Sequence, residues 1–421
     1  MLNPNLDLSK AYTPKQIEVL KACRNNDWFM LINHGAKRSG KTQVDNDLFL
    51  QELMRVRGIA NKLGIDTPQY ILAGYSLGNI QDNILTELSN KYGFEFKFDK
   101  YNNFTLFGVK VIQTSHGSIS GLGRIRGMTS FGAYINEASL SNQEVFDEIK
   151  ARCSGPGARI IADTNPDHPE HWLLKDYIQS KADGILSFHF QLDDNTFLDE
   201  RYVREIKATT PKGMFYDRGI KGVWVSGDGV VYPDFDQKVH VITPEQAKGI
   251  IFDRYLAGVD WGWEHWGAIV VIGVKGDAYY VIEEHAAQHK YIGNWINTAK
   301  DVIRRYGNIP FYCDPARTEH IAAFQKASIN AYLANNRVLS GIEAVATLMV
   351  KKQFFIVYER CPRFRDEIYK YIWKKNTGEP LKENDDVLCA IRYGIYSDMT
   401  VDSIDTPEKQ LEQAKRLRGM L

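Results

Sequence analysis

Residues 35–42 read Gly35-Ala36-Lys37-Arg38-Ser39-Gly40-Lys41-Thr42 and satisfy the pattern G-x-x-x-x-G-K-[ST] in full. A loop of this kind wraps a polyphosphate in backbone N–H groups. The glycines allow the curl, Lys41 reaches the β and γ oxygens, and the Thr42 hydroxyl coordinates Mg²⁺. Lys37, Arg38 and Ser39 complete the cradle, so ATP with Mg²⁺ is the expected ligand. Hydrolysis also requires a carboxylate at the end of a second strand to hold the ion, beside an acidic group that activates water. Tyr134-Ile135-Asn136-Glu137 is the candidate. Glu137 takes the place of the base, but Asn136 stands where aspartate is expected, so a neutral amide replaces the charge that holds the ion. Gln16, upstream of the loop, can pair bidentately with an adenine edge. Asn165, in Thr164-Asn165-Pro166, can sense the γ-phosphate.

A second constellation is acidic. Val259-Asp260 and Cys313-Asp314 each end an apolar strand in a carboxylate, and Glu383-Asn384-Asp385-Asp386 opens a helix. Any one of these is an ordinary strand-end or helix-start residue. As a set, Asp260, Asp314 and Asp386 suit a two-metal phosphodiester-cleaving site, in which carboxylates hold Mg²⁺ or Mn²⁺ about 3.5–4 Å apart. Glu283 and Glu284 are reserve ligands. Ahead of the helix, Lys351, Lys352, Arg360, Arg363, Arg365, Lys370, Lys374 and Lys375 alternate with Phe354, Tyr358, Tyr371 and Trp373. That stretch can neutralise DNA phosphates, although a solvated amphipathic helix would look the same.

The elements that position these residues follow from hydrophobic patterning. Thr13-Pro14 starts a helix running to about residue 24. A short buried strand over 28–33 leads into the glycine loop, and a helix follows from Val44 to Arg55. Further buried strands are expected at 70–73, 107–114, 131–135 and 159–162. Alternation with helices argues for a mostly parallel sheet covered on both faces. A Gly- and Pro-punctuated stretch around 222–236 reads as a linker. Beyond it, strands at 255–260, 267–274 and 279–283 look like an antiparallel meander, and a helix over about 291–305 precedes a fourth strand at 311–314. The expected organisation is a P-loop domain over 1–225, a linker over 226–250, a second α/β domain over 251–401, and an exposed helical tail over 402–421.

Composition sets the outer limits. The 421 residues, 44% hydrophobic and 25% charged, suffice for two or three domains with cores of their own. Five cysteines at 23, 153, 313, 361 and 389 form no C-x-x-C pair, which argues against a zinc ribbon or disulfide framework. The chain has no apolar run of roughly 18 uncharged residues and no signal-peptide pattern, so a cytosolic protein without membrane contact is expected. Lys plus Arg equal Asp plus Glu at 52 each. Balanced totals still permit strong local fields of both signs, so a nucleic-acid partner is not excluded.

Gln16, the loop at 35–42, Arg124-Ile125-Arg126-Gly127, Tyr134-Ile135-Asn136-Glu137-Ala138 and Thr164-Asn165-Pro166 followed by His171-Trp172-Leu173 resemble, in order and spacing, the ATPase half of the large terminase subunit of tailed bacteriophages. Thr164-Asn165-Pro166 resembles that family's coupling motif. The acidic set resembles its RNase H-like nuclease domain, whose last motif has the form D-H-x-x-D-A-x-R-Y. Here the stretch is Asp385-Asp386-Val387-Leu388-Cys389-Ala390-Ile391-Arg392-Tyr393. Asp386 replaces the histidine and can serve as a ligand. Cys389 replaces the second aspartate and is a poor partner for hard cations.

The resemblance implies ATP-driven translocation of double-stranded viral DNA into a procapsid, with metal-dependent cutting of concatemers. It implies a homo-oligomeric ring docked on a portal protein, a small terminase subunit as partner, and a site of action in the host cytoplasm. Lys37, Arg38, Arg124 and Arg126 are candidates for the arginine or lysine that completes the ATP site. The alternatives are a helicase-like or repair ATPase with an appended nuclease, and a packaging motor with an impaired nuclease.

Overall fold

A computed structural model describes residues 7–180 and 182–401; the expected tail over 402–421 lies outside the described residues. The chain forms two compact units. One comprises the chain up to Lys207, Met214–Ser226 and the short piece Asn376–Gly378. The other comprises Ala208–Gly213, Gly227–Lys375 and the chain from Glu379.

The first unit is built on seven strands: β1 (Met30–Gly35), β2 (Gln69–Gly74), β3 (Phe104–Leu106), β4 (Val109–Ser115), β5 (Gly132–Ile135), β6 (Arg159–Thr164) and β7 (Ile185–Phe190). Their order is β3-β4-β2-β5-β6-β1-β7, and only β3 and β4 run antiparallel. Apolar side chains cover both faces. One core contains Val44, Phe49, Leu53 and Tyr70; the other contains Met30, Ile71, Phe146 and Ile149. This is the covered parallel sheet that the patterning predicts.

Local departures have physical causes. β1 starts at Met30 rather than residue 28, because the Trp28 indole packs into the core and donates to the Cys23 carbonyl closing the first helix (3.0 Å). β3 and β4 are two strands where the patterning predicts one run. Phe107 and Gly108 both have positive φ, 51° and 73°, and turn the chain sharply. β7 escapes the patterning because it is an edge strand, with Ser187 and His189 interrupting its apolar residues.

The second unit carries β8 (Val241–Ile242), β9 (Arg254–Asp260), β10 (Gly267–Lys275), β11 (Ala278–Ala287), β12 (Phe311–Cys313), β13 (Ala331–Leu333) and β14 (Phe354–Val357). The order is β13-β12-β9-β10-β11-β14-β8. β9, β10 and β11 form the expected antiparallel meander, and β12 and β13 extend it in parallel beside β9. The helix Ile292–Tyr306 buries Trp295, Ala299 and Val302 against Phe311 and Phe324. Residues 226–250 are not a free linker as expected. From Gly227 they belong to this unit, and β8 pairs with β14 to finish the sheet.

The last described helix, Asp386–Val401, lies on β9 at backbone distance. A Cβ on Gly258 would sit 1.8 Å from the Ala390 carbonyl oxygen, so only glycine lets the helix rest there. That contact fixes the height at which Asp386 emerges relative to Asp260.

Two candidate sites, one in each unit

In the first unit, β1 delivers the chain into the P-loop and the helix Lys41–Leu63 leaves it. Gly35 (φ 141°) approaches the Phe190 carbonyl so closely that a Cβ would stand 1.9 Å from its oxygen, and Gly40 (φ 92°) makes the last turn. Lys41 is buried, and its ammonium donates to the carbonyls of Gly35 (3.0 Å) and Ala36 (2.6 Å), to Ser39 Oγ (3.3 Å) and to Asn165 Oδ1 (3.3 Å). Burial pulls it down to about 8, against the favourable charges of Asp163, Asp45 and Glu137.

Gln16 is placed beside the loop. Its Oε1 accepts from the Thr13 N–H (2.8 Å), closing a capping box, and its Nε2 donates to the Gly40 carbonyl (2.8 Å). One N–H and one lone pair of the amide remain for a base edge. Lys37 and Arg38 are exposed on the loop, and Arg38 has φ 60°. Arg124 donates to the carbonyls of Gln113 (2.8 Å) and Tyr101, which makes it a brace for the β4 region. Arg126 is exposed.

Asn136 and Glu137 follow β5. Asn136 is buried; its Nδ2 donates to both oxygens of Asp163 (2.8 and 3.1 Å), and its Oδ1 accepts from Asn83 (3.0 Å). Glu137 sits in the left-handed region (φ 58°, ψ 46°), and its N–H donates to Asp163 (2.9 Å). A non-glycine residue held there stores strain of the kind found where a side chain must be aimed. Burial, then the Asp163 charge, raises the Glu137 carboxyl above its usual range. Thr164 Oγ1 accepts from the Ser139 N–H (3.0 Å), and Ser139 Oγ donates to the Asn165 carbonyl (3.2 Å). The Thr164-Asn165-Pro166 turn thus touches both Lys41 and the segment after Glu137.

Asp163, the centre of this network, is absent from the residues singled out in the sequence. It ends an apolar strand in a carboxylate, the same signal that marks Asp260 and Asp314. It is buried, it accepts from Tyr134 Oη (2.9 Å) besides the groups above, and the nearby Thr42 hydroxyl favours its charged form. The oxygen donors of Thr42, Asp163 and Asn136 next to a phosphate cradle fit Mg²⁺.

In the second unit, Asp260 ends β9 and Asp314 follows β12, where its N–H donates to the Val259 carbonyl (2.9 Å). Asp386 is the first residue of the last helix. Burial first, and then the charges of Asp314, Asp386 and Asp385, push Asp260 well above the carboxylate range. The four carboxylates therefore share one end of the sheet.

They are not drawn into a ligand shell as expected. Among the described residues, no group of three His, Cys, Asp or Glu side chains is gathered tightly enough to hold an ion. Like charges repel, and the Arg363 guanidinium contacts Asp386 (3.4 Å) while also bonding Glu367 (2.8 Å) and Asp366 (3.2 Å). The donors are nonetheless hard oxygens of matching charge, which suits Mg²⁺ or Mn²⁺. Cys389 lies one turn along, with its thiol on Asp385 (3.6 Å) and Arg392 on its sulfur (3.7 Å).

The reserve ligands have other work. Burial alone would raise Glu283, but His285 (3.0 Å) and Arg305 (2.6 Å) hold it down at about 2. Glu284 accepts from the N–H groups of Arg363 and Phe364 (3.0 Å for Phe364) at the start of the helix Pro362–Glu367. Fully buried Glu367, pushed up to about 8 chiefly by burial, accepts from the N–H groups of Val387 (2.9 Å) and Leu388 (3.1 Å). It fixes the first turn of the helix that carries Asp386, a role with no local sequence signal.

The basic stretch is not one helix. It runs from the turn after the helix Val338–Val350, through β14 and the short helix Pro362–Glu367, into the segment that follows. Arg363 and Lys370 pair with acidic neighbours, and Phe354, Tyr371 and Trp373 are buried. Those three aromatics therefore form no exposed stacking platform.

A family model described as the phage terminase large subunit matches residues 121–216, and one described as the terminase RNaseH-like domain matches 257–397. The large terminase of a thermophilic bacteriophage is 24% identical, with a TM-score of 0.79 over 93% of this chain and 99% of that one. A structure of the same phage protein in complex with ADP gives 24% and 0.78 over 91% and 98%. At this identity the likeness shows the fold, a P-loop ATPase unit followed by an RNase H-like unit. No curated protein matches the sequence. Two terminase models matching successive stretches of a chain with this fold identify it as a member of the phage large terminase subunit family.

Proposed function

We propose that the chain is an ATP-driven motor that moves double-stranded viral DNA into a procapsid, and that its second unit cuts concatemeric DNA with Mg²⁺ or Mn²⁺. The observation that carries this reading is the buried Asp260 with its three acidic neighbours, in a chain whose other unit holds a P-loop. A helicase with an appended nuclease would place a second nucleotide-binding lobe where this chain has a carboxylate-ended RNase H-like sheet.

In the ATPase unit, Lys41 leaves the loop carbonyls for the phosphates, where its charge offsets that developing on the transferred group. Thr42 would hold Mg²⁺, which supplies charge to the phosphates when bound. Glu137, with its raised carboxyl and fixed backbone, accepts the proton of the attacking water. Asn165 touches Lys41 directly, so a change in what Lys41 holds reaches the Thr164-Asn165-Pro166 turn. In the nuclease unit, divalent ions would supply an activated water and stabilise the leaving oxygen. Asp260, Asp314 and Asp386 would hold them, which requires Arg363 to release Asp386. The partners that go with this role are the portal protein, a small terminase subunit and further copies of this chain in a ring, acting in the host cytoplasm at the procapsid.

A second reading is favoured by a specific observation. The Arg363–Asp386 contact and Cys389 in a ligand position fit a motor whose nuclease is impaired. Supercoiled plasmid incubated with the full chain and Mn²⁺ separates the two. Nicking that disappears in Asp260→Ala supports the cutting motor; nicking no greater than that of Asp260→Ala supports the impaired one.

A further inference from the structure

Asn136 puts a neutral amide directly after β5, where an ion bound with the nucleotide needs a charged group, and the next carboxylate, Glu137, is the one read above as the base for water. β6 lies directly between β1, which carries the P-loop, and β5, and the three strands run parallel. Their carboxyl ends therefore meet at one edge. In that register Asp163 on β6 is the partner of Asn33 on β1.

Building on the ATPase reading above, we propose that Asp163 is the carboxylate that holds the hydration shell of the nucleotide-bound Mg²⁺, and that Asn136 is its positioning residue. The contacts favour this division of work. The Asn136 amide nitrogen faces both oxygens of Asp163, and Tyr134 and the Glu137 N–H fix the remaining orientation. The Thr42 hydroxyl lies beside the same carboxylate and favours its charged form. With Thr42 and Asp163 side by side, Thr42 would hold the ion and an Asp163 oxygen would accept from a water of its hydration shell.

A second observation marks the place as one prepared for more than protein contacts. Asn33 Oδ1 and Asp45 Oδ2, both in fully buried side chains, have no hydrogen-bond partner, although Asn33 Nδ2 bonds Asp45 Oδ1 (2.6 Å). Buried oxygens without donors are rare, and beside a phosphate loop they are acceptors for water. A carboxylate serving only to staple β5 to β6 would need neither Thr42 nor these oxygens nearby.

The test uses the full chain with ATPγS and Mn²⁺ titrated by electron paramagnetic resonance, scoring only the Mn²⁺ that binds in dependence on ATPγS. Asp163→Asn is expected to bind ATPγS without metal as the parent does, while its ATPγS-dependent Mn²⁺ affinity falls about 10–100-fold. The exchange Asn136→Asp with Asp163→Asn is expected to recover most of that loss. Unchanged Mn²⁺ affinity in Asp163→Asn, or no recovery in a folded exchange variant, overturns the proposal and leaves the ATPase reading standing. A parent chain that binds no ATPγS sinks both. Should Asp163→Asn fail to fold, a crystal structure of the parent with Mg²⁺ and ATPγS decides: a metal-bound water on Asp163 upholds the proposal, and metal waters bonded only to other groups refute it.

Discussion

The two acidic sites differ in how their charge is balanced. In the ATPase unit, Asp163 is surrounded by donors from Asn136, Glu137, Tyr134 and Thr42, with the Lys41 cation nearby, so the site is organised by the chain itself. In the RNase H-like unit, Asp260 faces three other carboxylates, and the cations near them are shared, Arg363 between Asp386 and Glu367 and Arg392 with Cys389. A site stabilised by internal donors holds its geometry before its ligand arrives. A site of opposed like charges needs a cation to bring it together.

Changes that remove one site and spare the other break this comparison most sharply. Lys41→Ala is expected to lower ATP hydrolysis by on the order of a thousandfold, through loss of the charge on the phosphates. Plasmid nicking by the same variant should stay unchanged; a loss of both activities would mean the units do not act separately. Asp260→Asn is the reciprocal change. Nicking should fall at least about a hundredfold, ATP turnover should persist, and Mn²⁺ should no longer raise the melting temperature of the second unit.

Smaller effects sharpen the electrostatic contrast. Asp260→Asn should also stabilise the metal-free protein by about 1 kcal/mol or more in denaturant unfolding near neutral pH, since asparagine need neither take up a proton nor bury a charge among like charges on folding. Glu367 gives the pH dependence. Its folded value, about 8, lies above the 4.5 of an ordinary glutamate. The folded state therefore keeps a proton that the unfolded state loses, and stability falls as pH rises from about 4.5 to about 8. The slope is about 1.4 kcal/mol per pH unit for one proton. Glu367→Gln should flatten that part of the profile, and an unchanged profile would assign the slope to another group. At the small end, Thr13→Ala removes the cap beside Gln16 and should cost about 1 kcal/mol in the first unit. A larger rise in KM for ATP than in folding cost would show that the capping box also positions Gln16.

Legibility in the sequence follows the distance between cooperating residues. The P-loop is eight consecutive residues between a strand and a helix, so its motif, position and local backbone all lie within one stretch. Gln16 is legible too, but its bond to Gly40 is not, because a contact across 24 residues leaves no local mark. Asp260, Asp314 and Asp386 are identifiable as strand ends and a helix start. That they approach closely enough to repel, but not closely enough to form a ligand shell, depends on Gly258 under the last helix and on Arg363.

By itself, then, the sequence determined which residues can carry charge to a phosphate or a metal, and that two α/β units follow one another. Hydrophobic period and contiguous motifs are local properties, and local properties survive in one dimension. Only the tertiary structure decided which carboxylate serves which site. Placing β6 between β1 and β5 puts Asp163 where position 136 was expected to act, and folding the helix at 362–367 against β11 turns Glu284 and Arg363 to structural partners. Such choices depend on strand order and on buried hydrogen bonds between distant residues, which become fixed only when the chain has packed.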